Sequence, residues 1–451
     1  MKIVIIGAVA AGAKAAAKSK RLLPDAEVVI YTQEEFVSYS SCGLPYFIEG
    51  SFEDPEKLIV RTVEQFEKSG IRVFNFHRVI EILPDEKKIK VQDIKSGHEF
   101  LTDYDKLLIA TGAKSFIPDI PKINLHNIFS LRTIEDGVKI REIMHKSDKV
   151  VIVGGGYVGL ELAEAFIHNG LQVTMLEQNF NIMGSLDEDI VSQIMAYIHN
   201  SFANKFTILT SANITEFIGD NRVRAVRLSN NNLISADFVV IASGVTPEIE
   251  LAKQAGIEIG KTGAIKVNSR MMTSIPDIYA AGDCAEKINM ISHTPMWIPL
   301  GSTANKEGRC AAINMCGGVD DFEGVLGSAV TRFFDMTISK TGLSTQVAKN
   351  LGFDVVSALI TKRDKAGYMP TVGYVTLKLI ADRRSHKILG AQAVGSGDAD
   401  KRINTLTTGM IRGLTVEDLS DTDMTYAPPY STSIDPLIDV VRILKEKLAC
   451  C

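Results

Sequence analysis

Two segments of this chain, residues 2–31 and 149–177, run through the same order of local signals, and that repeat limits the possible folds more than any other feature. In the first, the apolar run KIVIIG ends in Gly7, and an alanine-rich stretch of high helix propensity continues to Lys20. Pro24 then precedes a second apolar run at 28–31. In the second, the run 150–153 enters a glycine cluster, a helical stretch follows, Gly170 stops it, and 173–176 reads as the next strand. Strand, glycine turn, helix and strand make a βαβ unit. Two such units far apart predict two separate nucleotide-binding domains, not a solenoid.

Length and composition agree with that picture. A chain of 451 residues has room for about three domains, and 45% apolar with 23% charged residues is ordinary globular composition. The net charge of -5 gives no positive field to hold a phosphate backbone, so no nucleic-acid partner is expected. Cys42, Cys284, Cys310, Cys316, Cys450 and Cys451 are too irregularly spaced for a disulfide scaffold. With no CxxC pair, no metal site is expected, and a reducing cytoplasm fits best. No apolar run reaches the roughly 18 residues of a membrane span. Lys2 and the apolar stretch after it imitate a short signal peptide, but Gly7 and Gly12 fit a phosphate turn better.

Two further strand-plus-glycine endings, at 106–114 and 238–248, resemble each other and read as closing the two units. After Arg309 the texture changes to alternating strands, such as 375–380 beside 387–394, and helices such as 399–412, with no third phosphate loop. The predicted class is α/β: two Rossmann-like nucleotide-binding domains, one inserted in the other, and a C-terminal α+β domain.

Gly154, Gly156 and Gly159 meet the full GxGxxG spacing, where backbone approaches a pyrophosphate and helix N–H groups face its charge. Glu177 ends the following strand, where a carboxylate binds ribose hydroxyls and repels a 2'-phosphate, which predicts NADH over NADPH. The first turn is irregular. Gly7 and Gly12 are in place, but Val9 replaces the middle glycine and Thr32 stands where the acid belongs, leaving Glu34 or Glu35 for the ribose. In 273–285, Asp283 reads as a strand end leading into a helix start, a place for a carboxylate to bind a sugar-alcohol hydroxyl.

The array GAVAAG, YSSCGLP, ATGA, GGGYVGLE, SGVTPE and IYAAGDCA resembles the single-cysteine branch of the pyridine nucleotide-disulfide oxidoreductases, which holds coenzyme A disulfide reductases, NADH oxidases and NADH peroxidases. The resemblance covers essentially the whole chain. It implies a discontinuous FAD domain at 1–113 and 245–322, an NADH domain at 114–244 inserted within it, and a C-terminal dimerisation domain at 323–451. By the same resemblance Thr111, Gly112, Arg132, Gly244 and Gly301 are cofactor-binding positions.

Cys42 precedes Gly43 and Pro45, which fit a turn into a new helix; a helix N-terminus and the nearby electron-poor flavin that the resemblance implies both favour thiolate over thiol. The resemblance implies that NADH reduces FAD and that the flavin passes electrons to Cys42. Without a second cysteine nearby, the oxidised sulfur is either a mixed disulfide with a small thiol or a sulfenic acid. Three features favour the mixed disulfide. Ala10 stands where members that reduce oxygen or peroxide carry a histidine. TYAPPYS resembles the tail of coenzyme A disulfide reductases, with Tyr368 and Tyr426 matching tyrosines that protonate the leaving thiolate, Tyr426 reaching Cys42 of the other subunit of a homodimer. Lys14, Lys18 and Arg21 share one helical stripe suited to the phosphates of coenzyme A.

Ser38 and Ser41 match substrate-contacting positions. Cys284 reads as small packing, and Cys450 with Cys451 as a frayed vicinal pair. The leading expectation is therefore an FAD-dependent, NADH-consuming reductase of coenzyme A disulfide or a related CoA persulfide. An NADH oxidase or peroxidase with a Cys42 sulfenic acid is second, and a non-enzymatic NADH-sensing flavoprotein third.

Overall fold

Strands that are apolar on both faces can be buried only by helices on both sides, and crossover helices make such sheets parallel. Ile3, Val4 and Ile5 are all 0% exposed, and so are Val151 and Ile152. The computed structural model, which describes residues 1–449, shows two five-stranded parallel sheets built on those runs. The first has the order Ile278–Ala280, Lys106–Ile109, Lys2–Ile6, Glu27–Tyr31, Ile71–Phe74. The second has the order Phe206–Leu209, Gln172–Leu176, Lys149–Val153, Phe238–Ile241, Ile128–Ser130. In each, the strand before the glycine turn is central and the two strand-plus-glycine endings lie beside it.

The chain passes between the sheets twice. Ala113–Ser115 on the way out pairs antiparallel with Val245–Pro247 on the way back, and Ile278–Ala280 then rejoins the first sheet. A third five-stranded sheet, entirely antiparallel, starts only at Ala329 and has the order Ala329–Phe333, Met336–Gly342, Ile388–Gly395, Tyr374–Asp382, Val355–Arg363. Helices Ala399–Met410 and Pro436–Ala449 share its core.

Two expectations need correction. The helix Gly301–Met315 runs through Arg309, so the antiparallel texture begins later than the sequence suggested. No helix starts at Asp283: the chain makes one turn, closed by Ala285 N–H donating to Gly282 O at 3.0 Å, and enters the short strand Lys287–Ile288. The helix facing that turn is Gly301–Met315, which packs so closely on Ala10–Leu22 that a Cβ at Gly308 would collide with the backbone of Ala11. Cys450 and Cys451 lie outside the described residues. Among the described residues no helix is long and apolar enough to cross a membrane.

A buried ion pair holds the Gly282 turn from beneath. Lys287 Nζ donates to Gly282 O and Ala285 O, both at 2.8 Å, and lies 3.4 Å from Glu307 Oε1. Glu307 Oε2 accepts from Gly282 N at 2.7 Å. Desolvation pushes the Glu307 carboxyl up to about 7, although Lys287 and the Gly282 N–H oppose it.

Two measurements test these packing arguments. Phe166 and Phe238, both 0% exposed, meet edge to face at 5.4 Å, so Phe238→Ala lowers the unfolding free energy by about 3–5 kcal/mol in a denaturant titration; a loss below about 1 kcal/mol contradicts that packing. Because the native state holds the Glu307 proton more tightly than the unfolded chain, its stabilising effect is full below pH ~4.5 and is lost as pH rises through about 7. Wild type therefore loses on the order of 3 kcal/mol relative to Glu307→Gln across that window. Parallel stability curves for the two proteins contradict the account.

Candidate redox site

Each nucleotide turn is built on backbone that has no room for a side chain. A Cβ at Gly7, whose φ is +103°, would collide with Ala110 O, and one at Gly12 with Gly7 O. The second turn repeats this, Gly154 against Ala242 O and Gly159 against Gly154 O. The middle position is different. Gly156 has an extended φ of -85° and open space where a Cβ would go, and Val9 has nearly the same φ, -95°. Valine is therefore sterically tolerated there, which explains the irregular first motif.

Helix N-termini add the second requirement for an anion. Ala10–Leu22, Tyr157–His168 and Gly301–Met315 have no acid in their first turns, whereas Ile134–Met144, Glu188–Phe202 and Val416–Ser420 all do. Among the described helices of eight or more residues, the uncompensated positive ends lie at the two glycine turns and beside Asp283, so the donor set fits two phosphate-bearing cofactors.

Glu177 is 8% exposed and tied to its own turn: Oε2 accepts from Gly155 N at 2.7 Å, and Oε1 from Asn179 N and Nδ2, both at 2.8 Å. In the first unit Thr32 is buried and Glu34 stands at the strand end, accepting from Tyr39 OH at 2.9 Å. Desolvation pushes the Glu34 carboxyl upward, against the Tyr39 hydrogen bond. Arg132 faces Glu34 and ion-pairs with Asp283 at 2.9 Å, while Trp297 Nε1 donates to Asp283 O at 2.7 Å. Gly112 lies next to that guanidinium, and Thr111 Oγ1 donates to Glu248 O at 2.7 Å beside the crossing strands, where Gly244 O accepts from Phe116 N at 2.9 Å. Gly301 opens its helix with free space around its Cα.

Cys42 lies in a single 3-10 turn, Ser41–Gly43, leading into the short helix Leu44–Glu49. Leu44, Phe47 and Ile48 are buried in a core shared with Leu160 and Ala163 of the second unit and Phe333 of the C-terminal sheet. Asn169 Nδ2 donates to Glu49 O at 2.9 Å. The sulfur is thus presented where three parts of the chain meet. The expected bias toward thiolate is absent from the chain itself. Desolvation pushes the Cys42 thiol up, Glu161 and Asp283 push the same way, and only Arg132 and the Ser41 hydroxyl oppose them. The helix behind the sulfur has six residues, too short to outweigh desolvation and two carboxylates.

Glu161 was not singled out by the sequence, although it lies inside GGGYVGLE. Its Oε1 accepts from Thr331 Oγ1 of the C-terminal sheet at 2.7 Å, and desolvation pushes its carboxyl upward.

Ser41 adjoins the sulfur. Ser38, at a φ of +49°, is clamped between Ala8 O and Val60 N, each hydrogen bond 2.8 Å. Lys14, Lys18 and Arg21 do share one helix, and among the described residues none of their side chains has a hydrogen bond or ion pair. Tyr368 and Tyr426 are 75% and 53% exposed, with no hydrogen bond from either hydroxyl. Among the described residues no group of histidine, cysteine or carboxylate side chains is arranged for a metal ion.

Comparison with known proteins matches residues 1–308 to the pyridine nucleotide-disulphide oxidoreductase model and 328–437 to the dimerisation domain of the same family. An NAD(P)H coenzyme A polysulfide/persulfide reductase of Pyrococcus horikoshii is 39% identical, the alignment covering 98% of each chain. An NADH oxidase of Methanocaldococcus jannaschii is 35% identical over 100% of each. The crystal structure of reduced Bacillus anthracis CoADR-RHD superposes with a TM-score of 0.96 at 33% identity, over 99% of this chain and 80% of that one. The glycine turns, the Arg132–Asp283 pair and the exposed sulfur accordingly belong to an enzyme, and the chain is a member of the pyridine nucleotide-disulphide oxidoreductase family.

Proposed function

We propose that this enzyme spends NADH to reduce coenzyme A disulfide or a CoA persulfide, with Cys42 carrying the substrate as a Cys–S–S–CoA mixed disulfide. The observation that carries the reading is the arrangement of sulfur. Of the four described cysteines only Cys42 is exposed; Cys284 and Cys310 are buried and Cys316 is partly covered. Cys284 Sγ points to the carbonyls of Ile109 and Ala281. Cys42 therefore has no partner among them for a disulfide, which leaves a small thiol to complete one.

The domain division proposed is 1–113 with 245–322, then 114–244, then 323–451, and the paired crossing strands support it. Gly7, Gly12 and the start of Ala10–Leu22 are the pyrophosphate cradle of FAD, with Glu34 for its ribose and Thr111, Gly112, Arg132, Asp283, Gly244 and Gly301 around the rest. Bound there, FAD supplies a two-electron relay between a pyridine nucleotide and a sulfur atom. Gly154, Gly156, Gly159 and Glu177 hold NADH.

The Cys42 thiolate attacks the disulfide of the substrate, one CoA thiolate leaves, and a proton from Tyr426 or Tyr368 neutralises it. Two electrons then cleave the mixed disulfide, and the second CoA leaves with a further proton. Both tyrosine hydroxyls are free to donate, and the dimerisation domain supports their arriving from the partner subunit. The unpaired stripe Lys14, Lys18 and Arg21 is available to the CoA phosphates, and Ser38 with Ser41 lines the approach. Ala10, the first residue of its helix, has no proton to deliver to a sulfenate, which favours this acceptor over oxygen or peroxide. A free Cys42 thiol needs a reducing compartment, and the cytoplasm provides one.

NADH oxidation measured with CoA disulfide, peroxide and oxygen separates the readings. Cys42→Ser loses at least about a hundredfold in kcat/KM with CoA disulfide; undiminished turnover contradicts the thiol mechanism. Glu177→Ala narrows the preference for NADH over NADPH by about tenfold. An unchanged ratio shows that Glu177 does not discriminate between them.

A further inference from the structure

We infer that Arg402 is a positioning residue for this reaction, its buried guanidinium joining the two loops that bear Tyr368 and Tyr426. The inference rests on the proton-donating role proposed for those tyrosines. Arg402 lies in the first turns of Ala399–Met410 and is only 2% exposed. Its Nε donates to Asp435 Oδ1 at 3.2 Å and Nη2 to Asp435 Oδ2 at 3.0 Å. Nη2 also donates to Asp364 O at 3.0 Å, and Nη1 to Asp398 O at 2.9 Å.

Two of these acceptors, Asp364 and Asp435, mark the edges of the tyrosine loops. Asp364 begins the connection between Val355–Arg363 and Tyr374–Asp382, and its Oδ1 closes that loop by accepting from Gly373 N at 2.7 Å. Tyr368 lies between them. Asp435 ends the irregular stretch between Val416–Ser420 and Pro436–Ala449, where it caps Leu437 N at 2.9 Å and accepts from Ser431 Oγ at 2.9 Å. Tyr426 lies within that stretch. The loops also touch directly, Ala366 N–H donating to Pro428 O at 3.4 Å, and Lys401 Nζ reaches Tyr430 O at 3.0 Å.

A charged group in a protein interior is costly unless fully paired, and an apolar side chain of similar volume fills a core at least as well. What the fork of guanidinium N–H groups adds is direction: it holds a carboxylate of one loop and a carbonyl of the other at fixed angles. The irregular stretch 421–435 has little regular structure of its own to do so. The tyrosine side chains make no hydrogen bonds, so their placement depends on how their loops are held.

The test compares Arg402→Met, Arg402→Lys and Tyr426→Phe, singly and with Arg402→Met and Tyr426→Phe combined. NADH turnover is followed with CoA disulfide and with ferricyanide, which takes electrons without any sulfur step. Arg402→Met lowers kcat for CoA disulfide at least about tenfold, and Arg402→Lys restores part of it. Ferricyanide turnover and the KM for NADH in both Arg402 variants stay within about twofold of wild type. Tyr426→Phe, harmful alone, costs less than about twofold more when added to Arg402→Met. If Arg402→Met does not fold, Asp435→Asn replaces it, because it keeps the side-chain shape while removing the charge partner.

Full CoA disulfide turnover in the Arg402 variants beside a damaged Tyr426→Phe overturns the positioning role and leaves the tyrosine reading standing. So do equal losses with both acceptors. Full turnover in Tyr426→Phe overturns the tyrosine reading and this inference with it.

Discussion

The burial of three side chains, Leu44, Phe47 and Ile48, behind Cys42 is the constraint on which the site depends. These residues belong by sequence to the first nucleotide unit, yet they pack into the core of the second and reach Phe333 of the C-terminal sheet. A cysteine on an unsupported surface turn would sample many positions. Here the turn is wedged between units, so the sulfur feels the charges of Glu161, Asp283 and Arg132, groups far from it along the chain. The glycine turns serve the same end from below. Backbone pressed onto backbone at Gly7 and Gly154 sets the height at which each helix starts, and the helix starts set where anions can bind.

Features encoded within about thirty residues were legible in the sequence. The two βαβ units and the closing strand at 238–241 follow from apolar runs and glycines that act locally. The turn into a helix after Cys42 was legible too, because Gly43 and Pro45 mark it. Features that depend on distant partners were not. The local helix favours a thiolate, but desolvation in the folded chain, joined by carboxylates at 161 and 283 that arrive through tertiary packing, pushes the thiol up. The turn at Asp283 read as a strand end leading into a helix start; Lys287 and Glu307 instead hold Gly282 in place.

Arg402 shows the same limit more sharply. In the sequence it is one cation on an amphipathic helix, and its default reading is a solvated face. Only the fold reveals that Asp364 and Asp435, on opposite sides of it in the sequence, converge on one guanidinium. The irregular first glycine motif is the converse case: its departure from pattern looked like a weakness, yet Val9 has a negative φ like Gly156 and lies beside two positions that truly exclude a side chain.

The most direct measurement is the intact mass of the protein as isolated, taken before and after treatment with a thiol reductant and followed by peptide mapping. The account predicts an added mass equal to one coenzyme A less two hydrogens, located on the peptide containing Cys42 and released by the reductant. A protein that takes up no such adduct even after incubation with CoA disulfide, or that carries it on Cys284, Cys310 or Cys316 instead, would contradict it.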